Sequence, residues 1–202
     1  AGGGVRVLPG ALPAAGSQYE LPLQVAVELS ALAQDKVTGF RADMIEQIEH
    51  VQKQILDLEG AIPDKKMSWR PAKGVRSISE VYLHLAFGNY ILTKFAGYEL
   101  PSDVVLPEFK DIQKWDGSTK NKKEIADRLE KSFAFVKETI KKMPDADLEK
   151  QVTFFGRETS VRNMLMTALA HMHEHLGQSI AYARSNGVVP PWTAAQQAGG
   201  SN

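Results

Sequence analysis

The chain has 202 residues, of which 43% are apolar and 24% are charged, and these fractions are typical of a globular protein with one or two small domains. Its 24 basic and 24 acidic side chains give a formal net charge of zero, so the basic excess that usually accompanies nucleic-acid binding is absent. No apolar run approaches the roughly 18 residues of a membrane-spanning helix. Cysteine is absent too, which excludes disulfides, thiolate metal ligands and a cysteine nucleophile.

The composition changes at both ends of the chain. Residues 1–20 are rich in Gly, Ala and Pro and predict a disordered or processed tail. Residues 21–190 carry the helical pattern of a single domain. Residues 191–202 are mostly Ala, Gln and Gly, and they predict a flexible tail.

The segment before the domain has two interpretations. Ala31, Leu32 and Ala33 have the small-x-small pattern of a signal-peptidase site, although Gln24 and Glu28 interrupt the apolar stretch that should precede one. The alternative is a short helix that leads into the domain. The sequence therefore leaves the compartment open, cytoplasmic or, if this is the relic of an export signal, exported.

Four segments have apolar side chains at the three- and four-residue spacing of an α-helix. Ser77 with Glu80 three residues later predicts a capping box before the second segment, and Gly60, Pro144 and Asn186 with Gly187 mark the ends of the others. Four helices of about 18–26 residues predict an all-α fold, a four-helix bundle. The predicted inward-facing positions are Phe40, Met44, Ile48, Val51, Ile55 and Leu58; Val81, His84, Gly88, Ile91 and Phe95; Ile125, Leu129, Phe133, Val136 and Ile140; and Met164, Ala168, His171, His175, Gln178 and Tyr182.

The connections between these helices are uneven. The connection over 96–119 is unusually long for a compact bundle, and such a segment often covers a site. Long crossovers also permit parallel neighbours, so a simple up-down order is not required. Within 143–158, the stretch from Val152 to Gly156 indicates a short hairpin.

Three of the five histidines lie close together in the fourth helix. His171 and His175 are one helical turn apart, with Cβ atoms about 6 Å from each other, so both can bind one ion. His173 lies about 200° from His171 around the helix and is expected to be exposed. The pair lies at the edge of the apolar stripe, where a site can be dry on one side and open on the other.

A third ligand is expected from another helix, and His84 is the best candidate. Gly88, one turn later, leaves room for a ligand shell or a substrate, whereas His50 lies on a polar face. Three neutral imidazoles with one open position are typical of a catalytic zinc site, and nickel, iron or cobalt would also accept this set. Such an ion would acidify bound water or bind a thiol.

Each of these residues also has a simpler explanation. A pair of histidines one turn apart arises by chance, and a single buried His84 is more often a hydrogen-bonded core residue. Glu80 could orient His84, but its place in the capping box explains it better. Glu174 is not the base of a zincin, because Met172 occupies the position directly after the first histidine, where that motif has its Glu.

Taken together, these motifs resemble the DinB-like superfamily of metal-dependent hydrolases and thiol transferases, over roughly residues 37–190. The resemblance implies a four-helix bundle with long crossovers, often a homodimer, and a three-histidine site for zinc or nickel at His84, His171 and His175. The residues that carry it are Trp69, Arg70 and Pro71, then Glu80 and His84, and finally His171, His175, Gly177 and Gln178.

The chain departs from the family pattern at three places near the ligands. Leu176 stands where the family often has Arg, and Met172 and Glu174 stand where many members have Glu or His. These changes leave the three ligands intact but put in doubt any substrate contact that the missing groups would make.

The sequence therefore predicts a metal-dependent enzyme that activates water or a low-molecular-weight thiol for a small-molecule substrate, with no nucleic-acid partner and no membrane span. Gln178 and Tyr182 lie on the same face of the fourth helix as His171 and His175 and are predicted to contact the substrate. The alternative is a non-enzymatic ligand-binding or structural bundle with a vestigial or absent metal site, in which the connection over 96–119 holds a partner or a small apolar ligand.

Overall fold

The structure is a computed structural model that describes residues 37–200. The expectations for residues 1–20, for the signal-peptidase pattern and for a leading helix lie outside these described residues.

Four long helices form most of the described part of the chain, which confirms the predicted helical bundle. Two shorter helices, three 3₁₀ turns and one antiparallel hairpin lie between and after them. The helices are α1 (Gly39–Ala61), α2 (Ile78–Phe95), α3 (Ile112–Asp116), α4 (Lys122–Lys142), α5 (Val161–Ser185) and α6 (Pro191–Gly199). The strands are β1 (Gln151–Phe154) and β2 (Arg157–Ser160), and the 3₁₀ turns are Asp64–Lys66, Phe109–Asp111 and Asp145–Glu149. No helix within residues 37–200 is both long enough and apolar enough to cross a bilayer.

The order of the four long helices around the bundle differs from their order in the sequence. α2 packs against α4 and α5, and α1 packs against the same two helices. The order around the bundle is therefore α1, α4, α2, α5. Because α1 lies diagonally across from α2, and α4 from α5, the connections between them must cross the bundle, which explains their length.

Local signals set most of the helix boundaries. The capping box is formed as predicted, because the Ser77 hydroxyl accepts from the Glu80 main-chain N–H and the Glu80 carboxylate accepts from the Ser77 N–H. Helix α5 ends at Ser185, with Asn186 as its C-cap and Gly187 after it at a φ of 68°. Gly60, predicted as a stop, remains helical, and α1 continues to Ala61.

The core lies between the four long helices, at the positions that the apolar spacing predicts for α1 and α4, whereas the predicted positions Ile91 and Phe95 of α2 are only half-buried. All five predicted positions of α4 have no solvent exposure, and those of α1 beyond Phe40 are likewise buried. One buried polar contact joins two helices, where the amide of Asn89 on α2 donates to the hydroxyl of Ser132 on α4 over 2.9 Å. Burial of these apolar faces fixes how α2 and α5, which carry the histidines, pack together.

The connections hold more regular structure than the sequence indicated. The predicted hairpin is present as β1 and β2. The long connection contains α3, which packs on α2. Residues 191–199, expected to be part of a flexible tail, form α6 instead, because Pro191 occupies the first helical turn, where its fixed φ suits a helix, and Trp192 packs on the core.

Candidate metal centre

The three predicted histidines meet between α2 and α5. One ring nitrogen each from His84, His171 and His175 lies within 4.8 Å of the other two. The Nε2 atoms of His171 and His175 are 3.0 Å apart. Two nitrogens bound to one zinc ion at about 2.0–2.1 Å would be separated by roughly 2.9–3.4 Å, so this pair already has the spacing of a chelate. The group could therefore hold a metal ion.

A glycine makes this approach of the two helices feasible. A Cβ atom on Gly88 would lie 2.1 Å from Cε1 of His171 and 2.6 Å from its Nδ1, distances that no real contact reaches. The ring of His171 therefore occupies the space that the missing side chain leaves. The sequence predicted that Gly88 provides room at the site, and the structure shows that a ligand ring uses it.

A chain of hydrogen bonds sets the tautomer of His175. The Gln178 amide nitrogen donates to the Tyr182 hydroxyl over 3.1 Å, so its Oε1, 2.9 Å from Nδ1 of His175, accepts from that nitrogen. The proton of neutral His175 is thus on Nδ1, and the Nε2 lone pair points at His171. This is the arrangement that a metal-binding imidazole needs.

The two residues predicted to contact substrate have different surroundings. Gln178 lines the cavity next to the histidines. Tyr182 is only 8% exposed, and its ring packs edge-on against Trp69. Tyr182 thus supports Gln178, and Gln178 is the member of the pair that faces the open space.

Burial keeps His171 and His175 uncharged. Desolvation, with smaller contributions from the charges of His175, His84 and Arg76, lowers the pKa of His171 to about 3. Desolvation also lowers the pKa of His175, partly offset by its hydrogen bond to Gln178. Both rings are therefore neutral at pH 7, the form that binds metal ions.

Two buried ring nitrogens at the cluster have no hydrogen-bond partner within residues 37–200, namely Nδ1 of His84 and Nδ1 of His171. Since Nδ1 of His175 carries that ring's proton, the short contact between the two Nε2 atoms can be a hydrogen bond only if His171 is protonated on Nε2, which leaves its buried Nδ1 as an unpaired acceptor. A cation between the Nε2 atoms would satisfy both lone pairs and allow Nδ1 to hold the proton. The donor set therefore fits a divalent metal ion.

Asp116 adds a carboxylate that the sequence analysis missed. Its Oδ2 lies 3.6 Å from Nδ1 of His84 and accepts from Nε of Arg76 over 2.7 Å. Asp116 is only 2% exposed although it ends a five-residue helix in the long connection. The Trp115 indole holds that helix on α2 by donating to the Leu83 carbonyl over 3.2 Å. Nothing local in the sequence pairs Asp116 with His84.

A cavity of about 520 Å³ opens beside the histidine cluster, within the size range of small-molecule sites. The connections before and after α2 both border it, the first with Arg70, Val75 and Arg76 and the second with Gln113 and Asp116. Its polar lining comprises Arg70, Arg76, Glu80, Gln113, Asp116 and Gln178. The connection over 96–119 was expected to cover a site, and its helix α3 forms part of this wall.

The sequence matches the profile of the DinB superfamily over residues 47–179, which contains all three histidines. The chain belongs to the DinB superfamily. A search of curated proteins found no match.

Solved structures share the DinB fold of this chain at low sequence identity. A DinB-like protein from Bacillus cereus matches with a TM-score of 0.63 and 21% identity, over 73% of this chain and 93% of the other. A DinB-like protein from Bacillus subtilis matches with a TM-score of 0.56 and 15% identity, over 73% and 93%. A conserved protein from Enterococcus faecalis gives 0.58 and 13%, over 73% and 97%.

The remaining candidates of this DinB superfamily member lie apart from the cluster. His50 and His173 are exposed, as predicted. Glu80 serves the capping box and accepts from Arg70 over 2.8 Å, which explains it without a role at His84. Of the positions that depart from the family pattern, Met172 and Leu176 are buried in the core, whereas Glu174 is exposed.

Proposed function

We propose that this DinB superfamily protein is a metal-dependent enzyme, with His84, His171 and His175 holding a divalent cation, zinc or nickel. Its nucleophile is water or a low-molecular-weight thiol, and its substrate is a small molecule that enters the adjacent cavity. The observation that carries the proposal is the convergence of three buried or half-buried imidazoles, two of them held neutral, beside an open space.

The residues around the ligands have separate tasks in this proposal. When bound, the cation supplies Lewis acidity, which makes water or a thiol a stronger nucleophile at neutral pH. Gln178 fixes the tautomer of His175 and presents its amide to the cavity, and Tyr182 holds Gln178. The Oδ2 atom of Asp116 lies 3.6 Å from Nδ1 of His84, which is longer than a hydrogen bond, and a small approach of the two groups would let it accept the Nδ1 proton and leave Nε2 of that ring for the ion.

The metal site is tested by elemental analysis of untagged protein after loading with zinc or nickel. The wild type should retain close to one equivalent, and His84→Ala and His171→Ala should retain little. His50→Ala is the matched control, because it removes an exposed histidine from the same bundle. Less than about a tenth of an equivalent in the wild type would refute the site.

The reaction class is tested with two panels. A set of small thiols with a generic electrophile reports thiol transfer, and activated esters and amides report hydrolysis. Turnover should appear in one panel, disappear with a chelator and return with the metal. If neither panel turns over faster than metal-free protein, the enzyme proposal fails, and the ligand-binding alternative takes its place. The predicted homodimer stays a prediction.

A further inference from the structure

Arg76 is a cation at the edge of the cavity with unused hydrogen-bonding capacity. Its Nε donates to Asp116 over 2.7 Å, and its side chain is 36% exposed. Within the described residues, its two terminal NH₂ groups have no hydrogen-bond partner. These groups form the planar fork that binds a carboxylate through two parallel bonds.

The second arginine of the cavity differs in this respect. Arg70 uses one terminal nitrogen on the Val75 carbonyl and the other on the Glu80 carboxylate, each over 2.8 Å. It therefore stabilises the first crossover and the start of α2. Arg76 alone of the two lining arginines has both terminal groups free for a ligand.

The charge balance around the cavity also favours an anion. Glu80 is paired with Arg70, and Asp116 with Arg76, so the two acidic groups are already compensated. Neutral imidazoles add no negative charge to balance a divalent ion. A metal-loaded site of this kind is net positive, and its field attracts negatively charged small molecules.

Arg76 is also close to the ligands themselves. Burial is the main cause of the lowered pKa values of His171 and His175, and the positive charge of Arg76 lowers both further. Gln178, which contacts His175, lines the same cavity as Arg76. One small molecule in the cavity could therefore contact both Arg76 and Gln178, the residue next to the ligand His175.

We propose that the cavity takes a substrate carrying a carboxylate, which the terminal NH₂ groups of Arg76 bind while its reacting end faces His171 and His175. This inference rests on the proposed function and names the substrate class for that site. The Nε of Arg76 remains on Asp116 when the fork binds a ligand, because different atoms make the two contacts.

The test uses cobalt-loaded protein and three thiols of similar size. They are 3-mercaptopropionate, which carries a carboxylate, 2-mercaptoethanol, which is neutral, and cysteamine, which is cationic. Binding of each thiol is followed by the thiolate-to-cobalt charge-transfer absorbance. The wild type should bind 3-mercaptopropionate at least about tenfold more tightly than 2-mercaptoethanol, with cysteamine weakest, as expected for a charge-assisted bidentate contact.

Variants separate Arg76 from the general charge of the protein. In Arg76→Gln the preference for 3-mercaptopropionate should fall to less than about threefold, and Arg76→Lys should restore part of it as a point charge. Lys114→Gln removes the same charge from an 84% exposed side chain on α3 that does not line the cavity, and it should keep the wild-type preference. Comparing the thiols within each variant cancels any change in cobalt affinity.

The outcomes distinguish this inference from the metal site. If cobalt binds at one equivalent but the three thiols bind equally, or if Arg76→Gln keeps the full preference, the carboxylate assignment is wrong and the metal site stands. If cobalt binds and no thiol gives a charge-transfer band, the cavity does not open onto the ion, and the assignment is overturned. Failure of the wild type to bind cobalt overturns the proposed function and this inference together.

Discussion

Replacing Gly88 by alanine should abolish tight metal binding while the bundle stays folded. The new Cβ would lie 2.1 Å from Cε1 of His171, so the imidazole ring must retreat by more than about 1 Å to reach an ordinary contact distance. That movement takes its Nε2 away from the Nε2 of His175, now 3.0 Å away. Metal–nitrogen distances tolerate only about 0.2 Å, so we expect zinc affinity to fall at least about 100-fold.

The same substitution should change stability much less. Alanine in place of glycine inside a helix gains about 1 kcal/mol, and overpacking beside His171 costs about 1–3 kcal/mol. The free energy of unfolding of the metal-free protein should therefore fall by no more than about 2 kcal/mol. Gly177→Ala is the control, because Gly177 is on the same helix as His171 and His175 and a Cβ there meets nothing within 4 Å. It should gain about 0.5–1 kcal/mol and keep the wild-type affinity.

Two measurements decide the outcome. Zinc affinity is obtained by competition with a chromophoric chelator, and stability by urea unfolding of metal-free protein followed by circular dichroism. The reasoning is refuted if folded Gly88→Ala binds zinc as tightly as the wild type, because a ring displaced from this position could not remain a ligand. A loss of affinity in Gly177→Ala of similar size would also contradict it.

Three further predictions follow from buried polar groups. Asp116→Asn should weaken zinc binding about 10–100-fold in the same competition assay, because His84 loses the carboxylate beside its Nδ1, and unchanged affinity would count against that role. The pKa of His171 is about 3 in the native protein, so below pH 6.5 the unfolded chain binds a proton at this residue and the native chain does not. The free energy of unfolding of the metal-free protein should therefore decrease as the pH is lowered from about 6.5 to about 3. Urea unfolding at pH 7 and pH 5 should show a smaller decrease in His171→Asn, and an equal decrease would contradict the assignment. Arg41, 8% exposed, donates to main-chain carbonyls at the end of α4, so Arg41→Met should cost about 1–3 kcal/mol in urea unfolding, whereas Asp145→Asn, at its 65% exposed partner, should cost less than about 1 kcal/mol. Equal effects of the two substitutions would show that the ion pair, and not the buried carbonyl contacts, matters.

The sequence predicted the features that depend on short-range periodicity. The apolar spacing of α4 corresponds to five side chains with no exposure, from Ile125 to Ile140, because a helix buries residues three and four apart on one face. The same geometry placed His171 and His175 together. The sequence also identified His84 as the third candidate ligand, because His84 lies among the apolar, inward-facing positions of α2 and such a residue must face a neighbouring helix.

The features that the sequence did not predict depend on contacts between distant parts of the chain. Asp116 is near His84 only because α3 folds back onto α2, where Trp115 donates to the Leu83 carbonyl. A five-residue helix has little stability of its own, so no local pattern reports its position. The order of helices around the bundle and the docking of Trp192 on the core are long-range results of the same kind.

The connections before and after α2 explain why this bundle can hold an asymmetric site. Because α1 and α2 lie diagonally, the connection between them must pass over the bundle, whereas the connection after α2 leads through α3 to the neighbouring helix α4. Both reach the cavity beside the histidines, the first with Arg76 and the second with Asp116. The Arg76–Asp116 ion pair therefore links these two connections, and Oδ2 of Asp116 also lies 3.6 Å from Nδ1 of His84. Under the proposed function, a ligand bound to the free end of Arg76 would be connected to His84 through the side chains of Arg76 and Asp116, so the segments proposed to set substrate preference would also support the metal centre.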